Sequence, residues 1–219
     1  MQDEDLTAVA ALADGVRRAA YREVVSAGGA PVGRDEVAAA LDVGRTLAAH
    51  HLDKLVDAGL LEVTYARRSG RTGPGAGRPA KLYRASAAQH EVSVPPRTYR
   101  TAAELLAETV EQTRADTALF DVARSHGRAS APASAAAPAS AAALLTAHGY
   151  LPVGDDARIE LRNCPFHRLA EQFPPLICGM NLALVEGLLE GAGLDDVWSA
   201  RMEAAPGRCC VTLSKNKTD

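Results

Sequence analysis

Asp42-Val43-Gly44-Arg45-Thr46-Leu47-Ala48-Ala49-His50-His51-Leu52-Asp53-Lys54-Leu55-Val56-Asp57-Ala58-Gly59-Leu60-Leu61 is the stretch that decides the fold. Ala48, Leu52 and Leu55 recur at helical spacing, and Gly59 stands where a helix ends in a left-handed residue. The Asp42-Val43-Gly44 turn separates this helix from a shorter one over Arg34 to Leu41. Before that, Leu6, Val9, Leu12, Val16, Ala20 and Val24 hold helical spacing up to Gly28-Gly29, which predicts one first helix over residues 6–27. After it, Leu60 to Tyr65 and Ala80 to Arg84 have strand character and flank the glycine-rich cationic loop of residues 67–78. Helix, turn, helix and a basic hairpin describe a winged helix-turn-helix.

In that arrangement the second helix of the pair enters the major groove and its first turns face base edges. Arg45, Thr46, Ala49 and His50 occupy those turns, with Arg45 suited to a bidentate contact with guanine. Lys54 and the hairpin cations would neutralise phosphates. Between Leu60 and Arg84 stand six basic residues, Arg67, Arg68, Arg71, Arg78, Lys81 and Arg84, against one acidic residue, Glu62. The formal net charge of −3 excludes a uniformly basic nucleic-acid coat, so a local patch of this kind is required for duplex DNA. A solvated hairpin tip is the plainer explanation for each charge taken singly, and the combination with the helix order favours DNA. The glycines do not form a phosphate-cradling loop, because no Gly-x-x-x-x-Gly-Lys-Ser/Thr pattern can be aligned and no helix follows.

Residues 42–61 resemble the recognition-helix region of ArsR-type and DeoR-type winged-helix repressors, over roughly residues 10–85. The resemblance implies the fold and leaves the effector open.

The remainder predicts an α+β chain in four parts: a DNA-binding domain over residues 1–90, a connecting or dimerisation helix over 91–126, an Ala/Ser/Pro-rich linker over 127–143 and a small sensor domain over 144–219. Leu105, Leu106, Val110 and Phe120 among Glu104, Glu108, Glu111 and Arg114 predict an amphipathic helix from Tyr99 to Val122. Prolines 132 and 138 oppose a helix through the linker. Further on, residues 141–148 and 175–192 predict helices, and residues 158–162 and 209–213 predict strands. With an acidic start at Met1-Gln2-Asp3-Glu4-Asp5, where a signal peptide would be basic, and no apolar run near the roughly 18 residues of a membrane span, a cytoplasmic location without a membrane partner is expected.

All four cysteines, Cys164, Cys178, Cys209 and Cys210, fall in one quarter of the chain. In a reducing compartment they suggest thiolate ligands rather than disulfides. Cys164 ends the strand that carries Ile159 and Leu161, and Cys178 sits in the first turn of its helix on the face of Leu182, Val185 and Leu189. Strand alternation sends Cys209 inward with Val211 and Leu213, and Cys210 outward with Thr212. Zinc knuckles come as two short Cys/His pairs, whereas this chain has at most Cys164-x-x-His167, so a cluster held by separated cysteines is favoured over zinc. A metal-free thiol switch, inert buried cysteines and a small-molecule effector pocket remain open alternatives. A zinc deaminase would need His-x-Glu and Pro-Cys-x-x-Cys, which the residues around each cysteine do not provide, so no enzyme is expected.

Asn163-Cys164-Pro165-Phe166-His167, Cys178-Gly179-Met180-Asn181 and Pro206-Gly207-Arg208-Cys209-Cys210-Val211 resemble the C-terminal segment of actinobacterial iron-sulfur regulators related to the suf-operon repressor SufR, over about residues 149–213. The resemblance implies a homodimeric repressor with an iron-sulfur cluster, 4Fe-4S ahead of 2Fe-2S, that senses iron-sulfur or redox status. The ligands it carries over are Cys164, Cys178 and one of the final pair. Cys209 is the favoured member, and the fourth position is open between Cys210 and His167. The spacing before the vicinal pair is longer than the pattern expects, which leaves the cluster type and the target genes open.

Overall fold

The computed structural model describes residues 3–67, 79–131, 140–205 and 207–216. The chain forms two compact units, Met1–Arg97 and Thr98–Asp219.

The first unit carries α1 (Asp3–Ala11), α2 (Gly15–Ser26), α3 (Arg34–Ala40) and α4 (Arg45–Asp57), with a sheet of β1 (Val32–Gly33), β2 (Leu61–Ala66) and β3 (Ala80–Ala85). The sheet is antiparallel in the order β1-β3-β2, and Leu61 pairs with Ala85 and Ala66 with Ala80. Its core joins Ala20 and Val24 of α2, Val37 of α3, and Ala48, Leu52 and Leu55 of α4 to Leu61 and Tyr83 of the sheet. The single first helix expected over residues 6–27 is two helices. Asp14 breaks it: its carboxylate accepts the Arg17 N–H at 2.8 Å and caps α2, although the apolar phase runs through the break undisturbed.

The second unit contains α5 (Tyr99–Thr113), α6 (Asp116–Ser130), α7 (Ala141–Ala147), α8 (His167–Gln172) and α9 (Pro174–Ala192). Its antiparallel sheet has the order β4-β5-β7-β6, from β4 (Pro152–Gly154), β5 (Arg158–Leu161), β6 (Trp198–Met202) and β7 (Val211–Lys215). The helix expected from Tyr99 to Val122 is broken at Arg114, whose φ of 53° is left-handed and ends α5. Its second half, α6, runs on to Ser130 inside the stretch expected to be linker. Residues 132–139 of that stretch lie outside the described residues. β4, α8 and β6 were not anticipated.

Helix α9 lies against the sheet through Val185, Leu188 and Leu189, which share a core with Leu144, Leu145, Leu161, Val211 and Leu213. On α9, Gly179, Ala183, Gly187 and Gly191 are spaced four apart and so form one stripe. Three of them meet α6: a Cβ at Gly187 would overlap the Arg124 carbonyl, one at Gly191 the Arg128 carbonyl and one at Gly179 the Phe120 ring. Gly127 of α6 answers from the other side, since its own Cβ would overlap the Leu184 carbonyl. Backbones this close leave room for hydrogen only. Arg124 bridges Glu186 and Glu190, and Arg128 adds a bond to Glu190 at 2.8 Å. One face of the expected dimerisation helix is therefore taken up within its own unit. Contrary to the expectation that no stretch is apolar enough to span a membrane, the 19-residue helix α9 reaches a mean hydropathy of 1.2 over an 18-residue window. Its apolar character serves the sheet and α6.

Candidate functional site

The face of α4 expected to read DNA is built by the helix's amphipathicity. Burial of Ala48, His51, Leu52 and Leu55 turns Arg45, Thr46, His50 and Lys54 outward, all exposed, with Ala49 half-buried beside them. Arg45 Nε lies 2.5 Å from Asp35 Oδ1, an exposed pair that a DNA phosphate or base edge can replace at small cost. Lys54 pairs with Asp57 at 3.2 Å. Arg67 is exposed at the end of β2. Arg68, Arg71 and Arg78 of the hairpin lie outside the described residues.

Lys81, expected as a phosphate contact, is paired within the domain. Its Nζ sits 2.6 Å from Asp53 Oδ1, which also accepts the Tyr83 hydroxyl at 2.9 Å. Both hydrogen bonds hold the Asp53 carboxyl below its usual range against the opposing effect of burial, and the same carboxylate raises Lys81. The group ties β3 to the recognition helix. Arg45→Ala should therefore lower operator affinity by about 1–3 kcal/mol with relaxed sequence preference, and Lys54→Ala should reduce the salt slope by about one. Lys81→Ala should change that slope less than Lys54→Ala; salt-dependent binding titrations distinguish these outcomes.

In the second unit the four cysteines come together from three places. Cys164 follows β5, and its sulfur accepts the Phe166 N–H while its carbonyl accepts the His167 N–H at 3.1 Å. Cys178 projects from α9, one residue further in than expected because the helix begins at Pro174. Cys209 and Cys210 lie in the loop before β7, where the Cys209 N–H bonds the Leu161 carbonyl at 2.8 Å and so fixes the pair beside Cys164. All four are free thiols.

Sulfur meets sulfur in a chain. The Cys164 thiol donates to Cys209, the Cys210 thiol donates to Cys209, and Cys210 is also hydrogen-bonded to Cys178. Cys209 is 2% exposed and the other three are half-buried. The two thiol donors, the Val211 N–H and the Asn181 amide favour a thiolate at Cys209 against the cost of burial, so its pKa falls far below the ordinary thiol range. Cys164 and Cys210 are pushed up, first by donating to Cys209 and then by burial.

Two expectations need correction here. The final strand begins at Val211 rather than at residue 209, so alternation does not govern the vicinal pair, and the Cys210 sulfur faces the same cluster as Cys209. Thr212, expected to face away from the core, is fully buried. His167, open as a fourth ligand, pairs with Glu171 at 3.2 Å with its side chain 66% exposed.

Two residues at the site were not foreseen. Asn181 Nδ2 donates to Cys209 Sγ at 3.2 Å, and the Tyr150 hydroxyl donates to Asn181 Oδ1 at 2.6 Å; Asn181 is 0% exposed and Tyr150 1%. A lone amide in the largely apolar α9 was the available signal, because a buried polar side chain needs a partner.

Among the described residues, no three His, Cys, Asp or Glu side chains are gathered so as to share a single metal ion. One zinc ion needs every sulfur about 2.3 Å from one point. An iron-sulfur cluster distributes its thiolates over separate iron atoms, which is closer to a chain of four neighbouring sulfurs, two of which, Cys164 and Cys209, already accept N–H groups.

A family model for a helix-turn-helix domain matches residues 12–64, from the end of α1 into β2. The chain thus carries a helix-turn-helix domain, and the class this defines is a DNA-binding transcriptional regulator. No curated protein and no solved structure matches the chain.

Proposed function

We propose that the protein is a non-enzymatic, cytoplasmic repressor, active as a homodimer, whose grip on its operator is set by an iron-sulfur cluster held by Cys164, Cys178, Cys209 and Cys210. The observation that carries this is the chain of four cysteines, separated by up to 46 positions (210 − 164), in which Cys164 and Cys210 meet the Cys209 sulfur and Cys178 meets Cys210. Such a centre supplies redox-responsive, oxygen-labile chemistry. In holding it, Cys209 would enter as the ready thiolate, Cys164 and Cys210 would give up their protons on ligation, and the Phe166, Val211 and Asn181 N–H groups would offset the accumulated negative charge.

Dimer formation is supported by α5 and α6, where Tyr99, Leu105, Leu106 and Val122 are 60–75% exposed. Apolar side chains this open mark a surface that a second copy can cover. A two-fold pair would set two recognition helices on half-sites about one helical turn apart. Structural zinc is the second reading, favoured only by the knuckle-like Cys164 turn with its Phe166 N–H to sulfur bond. The test is anaerobic reconstitution of the full chain with iron and sulfide, followed by counting both. Bound iron and sulfide in comparable amounts are expected. Colourless protein holding stoichiometric zinc would replace the cluster by the second reading.

A further inference from the structure

We infer that Tyr150 and Asn181 form a buried hydrogen-bond relay that tunes the cysteine centre through the Cys209 sulfur, with Tyr150 deciding which end of the Asn181 amide that sulfur meets. The inference rests on the proposed cluster and adds two positioning residues to it.

Asn181 lies on α9 one turn beyond Cys178, and its whole side chain is withdrawn from water. An amide buried in an apolar helix must spend both its carbonyl and its NH2 on partners. Here the carbonyl takes the Tyr150 hydroxyl and the NH2 faces Cys209. The Tyr150 ring packs in the core with Leu144, Leu161 and Leu189, so the hydroxyl is held at a fixed position. Phenol donation to Oδ1 fixes the amide orientation. Without it the amide could rotate and present Oδ1 to the sulfur, an acceptor against an anion.

The sign of the effect follows. An N–H aimed at a ligating sulfur stabilises negative charge there, and a cluster carries one more negative charge when reduced than when oxidised. Removing the donor therefore disfavours the reduced form and moves the midpoint potential to more negative values. Turning the acceptor end towards the sulfur moves it further in the same direction. A purely structural role for the pair would alter stability without this ordered shift.

The experiment uses the full chain, reconstituted anaerobically, with midpoint potentials measured by spectroelectrochemical titration for wild type, Asn181→Leu and Tyr150→Phe, and thermal unfolding as a control for folding. Both variants are expected to hold the centre and to show potentials more negative than wild type, with Tyr150→Phe moving despite its intact amide. In the metal-free chain, the Asn181 side-chain amide protons should exchange slowly by 15N NMR, and Tyr150→Phe should speed that exchange. Wild-type potentials in both folded, loaded variants would overturn the relay and leave the cluster assignment standing. A wild-type chain that takes up no iron would overturn both. If Asn181→Leu fails to fold, Tyr150→Phe decides alone, since it removes only one buried oxygen.

Discussion

Gly187→Ala should destabilise the C-terminal unit by about 3 kcal/mol, the upper end of the cost of overpacking a tight core. The added methyl would meet the Arg124 backbone carbonyl rather than a side chain that can turn aside. Relief requires α6 to move away from α9, and the ion pairs from Arg124 and Arg128 to Glu186 and Glu190 oppose that movement. Cys178 and Asn181 lie on the same helix, so displacement would also disturb the sulfur cluster. Calorimetry should show the unfolding of this unit lowered by roughly 10 °C. Gly15→Ala is the control: nothing lies within 4 Å of its added methyl, and the helix start of α2 accepts alanine, so its effect should stay within about 1 kcal/mol of wild type. Equal midpoints for Gly187→Ala and wild type would mean that the two helices are not in backbone contact.

Cys209→Ser should abolish cofactor uptake altogether. Cys209 is the one sulfur that takes hydrogen bonds from both Cys164 and Cys210, and its deep burial excludes a water molecule as a ready substitute. Cys210→Ser should also lose uptake, because its sulfur bridges Cys209 to Cys178. His167→Ala should retain it, since that ring is spent on an exposed pair with Glu171. Iron and sulfide analysis after identical reconstitution reads all three. Retention by Cys210→Ser with loss by His167→Ala would reverse the assignment of the fourth ligand.

The parts legible in the sequence were those where one periodicity acts alone. On α4 the spacing of Ala48, Leu52 and Leu55 and the stop at Gly59 decide both the helix and its exposed face, and Arg45 and His50 emerge where that pattern puts them. Helix breaks were less legible. Asp14 interrupts a continuous apolar phase with a cap, and Arg114 adopts a left-handed conformation that its residue type does not announce. The cysteines were legible as a group because they occur together, but the role of Cys210 depended on where β7 begins. A shift of two residues in that boundary removes the alternation on which an outward Cys210 rested. The Lys81–Asp53 pair was not legible, because the two residues are 28 positions apart, a distance no local pattern bridges. Tyr150 and Asn181 were hidden for the same reason, being 31 positions apart and joined only once α9 packs on the sheet.

The most direct test of the whole account is an anaerobic operator titration of one preparation, at one stated salt concentration, before and after the centre is stripped with a chelator. The two forms should differ in operator affinity by at least about fivefold, the lower range of a coupling between distinct sites, and Cys209→Ser should bind as the stripped form does. Identical affinities for loaded and stripped protein would contradict the account, leaving a helix-turn-helix DNA binder whose cysteine cluster plays no part in its grip.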